Sequence, residues 1–273
     1  MDAKELIRAG RLADARRQLV EEVKASPADS GRRTLLFQVL CFYGEWDKAG
    51  RHLDAIAAQD VKAQIGVQVY KNLVHAEKER REVSRLERRP PCLPEPPPYL
   101  EMYFAACNMV AEGKIEEAED LFRKIEDSRP IVSGTINGKT FSGLKDTDTS
   151  LAYFLEAIVH DQYVRIPFES IRELSISPPA TLFDLLWIPA RVTTWEGLTM
   201  NCYCPVLYPD SHAQEDDRIK LGRMTDWLPL GGPFSKAVGQ HVFEIGDEEI
   251  ALLDIREAQL KLSDSVGDHE NKD

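Results

Sequence analysis

A six-residue pattern that returns at a fixed interval constrains this chain more than any other feature. Gly10-Arg-Leu-Ala-Asp-Ala15 recurs 34 residues later as Gly44-Glu-Trp-Asp-Lys-Ala49, and the same shift carries Leu19 onto Leu53. A third copy is Gly113-Lys-Ile-Glu-Glu-Ala118, with Phe122 in the place of Leu19. Pro27 follows the first glycine by 17 residues, and Pro130 follows the third by the same distance. Each position has a physical role. Glycine fits the tight turn between two antiparallel helices, where the backbone turns left-handed. The residue two places on docks into the neighbouring helix, alanine lets two helices approach closely, and proline ends the second helix.

An interval of 34 residues is that of tetratricopeptide-like helical hairpins. The spacing therefore predicts such an α-helical layer over residues 1–130. Between the second and third copies, Val61, Ile65, Val69, Leu73 and Ala76 predict one long helix over residues 60–89. Its charged end, Lys78 to Arg89, reads as a solvated face with Glu77/Arg81 and Lys78/Glu82 as i,i+4 partners. Six prolines in the nine residues Pro90–Pro98 exclude helix and central strand. This run reads as a stiff connector within the helical layer. Helices resume over Tyr99–Glu112 and Lys114–Asp127.

Beyond Pro130 the pattern changes. Gly134-Thr-Ile-Asn-Gly138 predicts strand–turn–strand. Asp146–Val159 reads as a helix capped near Asp148 or Thr149 and followed by a turn at His160-Asp161. Short β-like runs follow at Tyr163–Pro167, Ala190–Thr194, Met200–Leu207, His241–Ile245 and Ile250–Ile255, separated by proline- and glycine-rich breakers such as Gly231-Gly232-Pro233. The expected architecture is α+β: the repeats, then a smaller mixed α+β region over 131–262 with a bent antiparallel sheet. Residues 263–273 read as a polar, disordered tail.

Charge narrows the function classes. The chain carries 34 basic and 46 acidic residues, a net charge of −12, which argues against a general binder of nucleic acid or anionic membrane. Residues 1–100 are net +3 and the rest net −15, so the two regions have different surfaces. The first residues lack an apolar secretory segment, and no apolar run reaches the roughly 18 residues that span a bilayer. The five scattered cysteines read as reduced thiols, so a cytoplasmic location is expected. Cys202 and Cys204 share one strand face and could supply half a metal site, but no second pair completes it, and burial is the stronger reading. Asp210, His212, Asp216 and Asp217 form the densest polar cluster, and His212 and Asp216 would share a helical face. Trp187, Trp195 and Trp227 read as core anchors. No phosphate-cradling glycine loop or nucleophile elbow appears, and no cofactor or metal is implied.

The more distinctive motifs lie in the second region. They are Gly134-Thr-Ile-Asn-Gly138, Asp146-Thr-Asp148, Leu155-Glu-Ala-Ile158, Ile166-Pro-Phe-Glu-Ser-Ile171, Asp184-Leu-Leu-Trp-Ile-Pro-Ala190, Tyr208-Pro209, Leu221-Gly-Arg-Met-Thr-Asp-Trp227 and Leu253-Asp-Ile255. With Leu35–Trp46 they resemble the ImpE/TagJ family of type VI secretion accessory proteins over nearly the whole chain. Thr149-Ser150-Leu151-Ala152 departs from the Ser-Arg-Leu-Gly expected there. The resemblance implies a non-enzymatic adaptor that binds the N-terminal helix of the small contractile-sheath subunit and is linked to the sheath-disassembly ATPase. It carries no catalytic motif. Helical hairpins form surfaces suited to a partner helix, and in the second repeat Thr34, Gln38, Cys41 and Phe42 are the expected contacts. The competing expectation is a hydrolase or metal-dependent enzyme using residues 210–217.

Overall fold

A computed structural model describes residues 1–263. The tail reading from 264 onward lies outside them, while Ser263 ends a strand. Seven helices come first: α1 (Ala3–Arg8), α2 (Leu12–Ala25), α3 (Ser30–Phe42), α4 (Trp46–Gln59), α5 (Gln64–Ser84), α6 (Leu100–Ala111) and α7 (Ile115–Ser128). Then come β1 (Ile131–Ile136), β2 (Lys139–Ser142), β3 (Leu144–Asp146), β4 (Phe154–Val159), β5 (Gln162–Pro167), β6 (Ile171–Ile176), β7 (Trp187–Thr194) and β8 (Thr199–Pro205). The short α8 (Asp217–Lys220) precedes β9 (Asp226–Gly231), β10 (Phe234–Val238), β11 (Val242–Ile245), β12 (Glu248–Ala251) and β13 (Glu257–Ser263).

The repeated positions do what their chemistry requires. Gly10, Gly44 and Gly113 have φ of 74°, 63° and 75°. At each, the glycine amide donates to the second-last helical carbonyl and the next amide to the third-last, the Schellman arrangement that closes a helix end. Leu12, Ala15, Leu19, Ala49, Leu53 and Ala118 are all within 1% of complete burial. Helices α1 to α5 stack in chain order, and α6 packs on α7, so their apolar faces are covered in part by neighbouring helices.

Three expected elements differ. First, α5 begins only at Gln64, and Val61 and Ile65 are 77% and 83% exposed. Its buried face is Val67, Leu73, Val74, Ala76, Glu77, Arg80 and Val83, because Glu77 and Arg80 find partners inside the protein while most other charges of its last turns stay in solvent. Second, the helix expected over 146–159 is a turn followed by strand β4. The residue read as a helix cap, Asp148, accepts from Ser150 N at 2.8 Å and so closes an Asx turn. The apolar run after it is buried on both faces between neighbouring strands, a case in which strand and helix share the same apolar signature. His160-Asp161 is thus the turn of a hairpin, with φ of 58° at His160. Third, the proline connector joins the sheet, not the helical layer. Leu93 N donates to Arg165 O at 3.0 Å and Arg165 N to Pro91 O at 2.9 Å, so Cys92 runs beside β5.

The sheet region is not the smaller one. It holds an eight-stranded antiparallel sheet, β2-β1-β13-β6-β7-β8-β4-β5, with a β9–β10 hairpin and a β12-β11-β3 ribbon beside it. One hydrophobic cluster runs from Ala3 in α1 to Leu260 in β13. Aromatic rings join the two layers: Tyr70 of α5 stacks on Phe183 at 3.9 Å, Phe37 of α3 lies 5.3 Å from Phe183, and Trp46 lies 6.2 Å from Trp187. A second cluster packs α6 and α7 against Tyr153, Phe154 and Phe234. Trp187 is buried as expected, but Trp195 and Trp227 are 41% and 38% exposed.

Candidate functional site

Glu77 and Arg80 stand three apart, on one face of α5, and that face lies against the sheet. Arg80 Nε donates to Glu156 Oε1 of β4 at 3.0 Å, and its Nη2 donates to Glu156 Oε2 at 2.5 Å and to Leu207 O at 2.7 Å. The pair is bidentate, the geometry in which a guanidinium fork matches a carboxylate best. Glu77 accepts from Trp187 Nε1 at 2.8 Å. His241, just before β11, bridges two carboxylates: its Nε2 is 3.1 Å from Glu156 Oε2 and its Nδ1 is 2.8 Å from Asp146 Oδ2. Tyr208 donates its hydroxyl to Asp146 Oδ1 at 2.8 Å, Tyr163 donates to Glu156, and Arg165 Nε donates to the Tyr163 hydroxyl at 3.1 Å. Glu77, Arg80, Asp146, Glu156, Arg165 and His241 are all buried.

Burial alone would push Glu156 and His241 toward their neutral forms. Against it, Arg80 and His241 hold Glu156 far below the usual carboxylate range. Burial likewise pushes His241 down, yet Asp146 and Glu156 outweigh it and hold the imidazole up at about 9. At neutral pH His241 is therefore a cation with both nitrogens donating. It has no free lone pair for taking a proton from a substrate. Burial, with Glu77 nearby, pushes the Cys41 thiol well up, away from nucleophilic use. The arrangement acts as an electrostatic clamp between α5 and the sheet. Beside it lies a cavity of about 40 Å³ lined by Cys41, Trp46, Glu77, Arg80 and His212, among others.

The residues singled out from sequence fall in several places. Thr34 and Gln38 are half-exposed on α3. Cys41 and Phe42 are 2% and 0% exposed, because that side of α3 packs on the sheet region, so neither presents a contact surface. The 210–217 cluster is dispersed. Asp210 pairs with Lys236 at 2.9 Å, Asp216 with Arg218 at 2.7 Å and Asp217 with Lys220 at 3.2 Å. His212 sits in a 3₁₀ turn against Gly44, where an added Cβ would lie 2.5 Å from its ring, and so shares no helix with Asp216. Cys202 and Cys204 are buried free thiols, and among the described residues no group of three or more His, Cys, Asp or Glu could hold a metal. The pairs Glu77/Arg81 and Lys78/Glu82 do not form. Lys78 reaches Asp47 at 2.6 Å, and Glu82 faces Arg88 at 3.7 Å. No helix among the described residues is long and apolar enough to cross a membrane.

Sequence reasoning missed Glu77, Arg80 and His241. A signal was present: Asp146, Glu156, Trp187 and Tyr208 each sit in a motif that carries the family resemblance, and the fold brings all four to this clamp.

The comparisons with known proteins agree with that motif set. The family model described as ImpE protein matches residues 138–259, the span that holds most of the sheet and the sheet side of the clamp. The type VI secretion system accessory component TagJ of Pseudomonas aeruginosa is 36% identical over 265 residues, covering 97% of this chain and 93% of that protein. The X-ray crystal structure of a Vibrio parahaemolyticus protein has the same fold, with a TM-score of 0.85 at 22% identity over 95% of this chain and 97% of that one. With helices and sheet matched end to end, this chain belongs to the ImpE/TagJ family.

Proposed function

We propose that this protein is a non-enzymatic accessory component of a bacterial type VI secretion system, acting in the cytoplasm as an adaptor. It binds the small contractile-sheath subunit through that subunit's N-terminal helix and contributes to sheath assembly or turnover, in which the disassembly ATPase is a further partner. The observation that carries this reading is the end-to-end similarity to TagJ, 36% over 97% of the chain. The site chemistry supports it: a buried group of charges is consumed in holding α5 to the sheet, which suits a rigid binding platform. On α3 the contact positions are Thr34 and Gln38, while Cys41 and Phe42 back that segment from the interior.

The test is a calorimetric titration of the full-length protein with the small sheath subunit and with its isolated N-terminal helix. Saturable one-to-one binding to both is expected. Thr34→Glu combined with Gln38→Glu should weaken it at least tenfold with the melting temperature unchanged. No binding of either ligand to the folded wild type refutes the adaptor role; unchanged affinity in the double variant moves the contact off α3.

A further inference from the structure

A second cavity, of about 180 Å³, opens between the ends of α5 and α6, the Asp148–Ser150 turn and β9. Its walls are chiefly apolar: Leu86, Val110, Ala111, Pro209 and Leu230. It exceeds the roughly 150 Å³ engineered cavity that accepts a benzene ring. Among the residues that line it is one acidic residue, Asp148, which is 3% exposed. Asp148 Oδ1 accepts from Ser150 N at 2.8 Å and Ser150 Oγ at 2.6 Å, and Oδ2 accepts from Ala237 N at 2.8 Å. A carboxylate offers about four acceptor sites, so one on Oδ2 is unused. Among the described residues no cation pairs with Asp148. Lys236, the cation lining the cavity, is bound to Asp210 at 2.9 Å. The clamp nearby shows what this protein does elsewhere: Glu156 and Asp146, buried to the same degree, each have a cationic partner.

We propose that this cavity binds an organic cation, a guanidinium or ammonium group on a short apolar stem, with Asp148 as its counter-ion. The two halves of the site call for the two halves of such a ligand. The apolar wall removes the stem from water, and the carboxylate receives a charge-assisted hydrogen bond. A purely apolar occupant would leave the hydrogen-bonded carboxylate without a counter-ion, and an anion would be repelled by it. A metal ion would find a single acidic ligand there. The proposal does not depend on the sheath reading, because Thr34 and Gln38 are not among the residues that line this cavity.

The probe is n-butylguanidinium, titrated into the full-length protein and followed by calorimetry and amide NMR shifts, beside its neutral near-isostere n-butylurea and the stemless guanidinium ion. Saturable one-to-one binding at least tenfold tighter than either control is expected. Ala111→Phe, at an exposed position on the cavity wall, should lower that affinity at least tenfold without changing the melt. Asp148→Asn should bring butylguanidinium down to the level of butylurea. If Asp148→Asn does not fold, the ligand comparison on wild type together with Ala111→Phe decides the matter. Equal binding of butylurea, absence of saturation, or indifference to Ala111→Phe overturns the proposal. Acetyl-arginine amide separates two sources of the cation: tight binding assigns the cavity to a side chain carried by a partner, and exclusion alongside butylguanidinium binding assigns it to a free small molecule.

Discussion

His241 carries a charge into the interior because a carboxylate meets each of its ring nitrogens. Its folded value of about 9 stands above the ordinary 6.5. A raised value stabilises the fold fully below about pH 6.5, and that stabilisation is lost as pH rises through about 9. The size is on the order of 3 kcal/mol, at 1.36 kcal/mol per pH unit. Urea denaturation at pH 6, 7.5 and 9.5 should therefore show wild type losing stability toward high pH more steeply than His241→Asn. Parallel profiles for the two proteins would show that folding leaves the histidine's affinity for a proton unchanged, and a wild type that gains stability toward high pH would show that it is neutral when folded. The buried thiols titrate in both proteins and cancel in the difference. At this scale the sequence was only partly legible. The turn glycines could be read because their demand is local. His241 and Arg80 could not, since their partners lie 95 and 76 residues away.

Among the elements, α5 shows what a charged helix end can conceal. The run from Lys78 to Arg89 has the composition of a solvated face, and most of it is solvated, but Arg80 points into the sheet. Removing one partner of such a pair leaves a charge stranded in a poor solvent, which typically costs about 3–5 kcal/mol. Arg80→Met should lose that much in chemical denaturation. Adding Glu156→Gln should recover part of the loss, since the stranded carboxylate is gone; strictly additive losses would mean that the two residues act independently. The misreading of β4 has a different origin. Phe154-Leu-Glu-Ala-Ile-Val159 is buried along nearly its whole length, and no period of two survives when both faces are covered. Strands β9 and β13 escaped notice because β9 is exposed throughout and contains Pro229, while Lys and Gln dilute β13.

For the whole molecule, the change from helices to strands at Pro130 was visible in the sequence, but the contact between the two regions was not. Motif spacing reports the helical layer and the turns. It says nothing of Tyr70 meeting Phe183 or Trp46 meeting Trp187. With the core continuous across that boundary, residues 1–130 alone would expose Phe37, Tyr70 and Trp46 and leave Arg80 without Glu156. We expect that fragment to bind a hydrophobic dye and to unfold without a sharp transition, whereas the full chain melts cooperatively; a cooperative fragment would show that the regions fold independently. The proline run beside β5 has one more consequence. A sheet that ends in bare amides and carbonyls is a template on which another chain can lay a strand. Here one border is lined by a segment in which six of nine residues are prolines without an amide to offer. The opposite border is the four-residue β2, whose Lys139 engages Glu248. Both ends of the eight-stranded sheet thus carry features that discourage the addition of a strand from another copy.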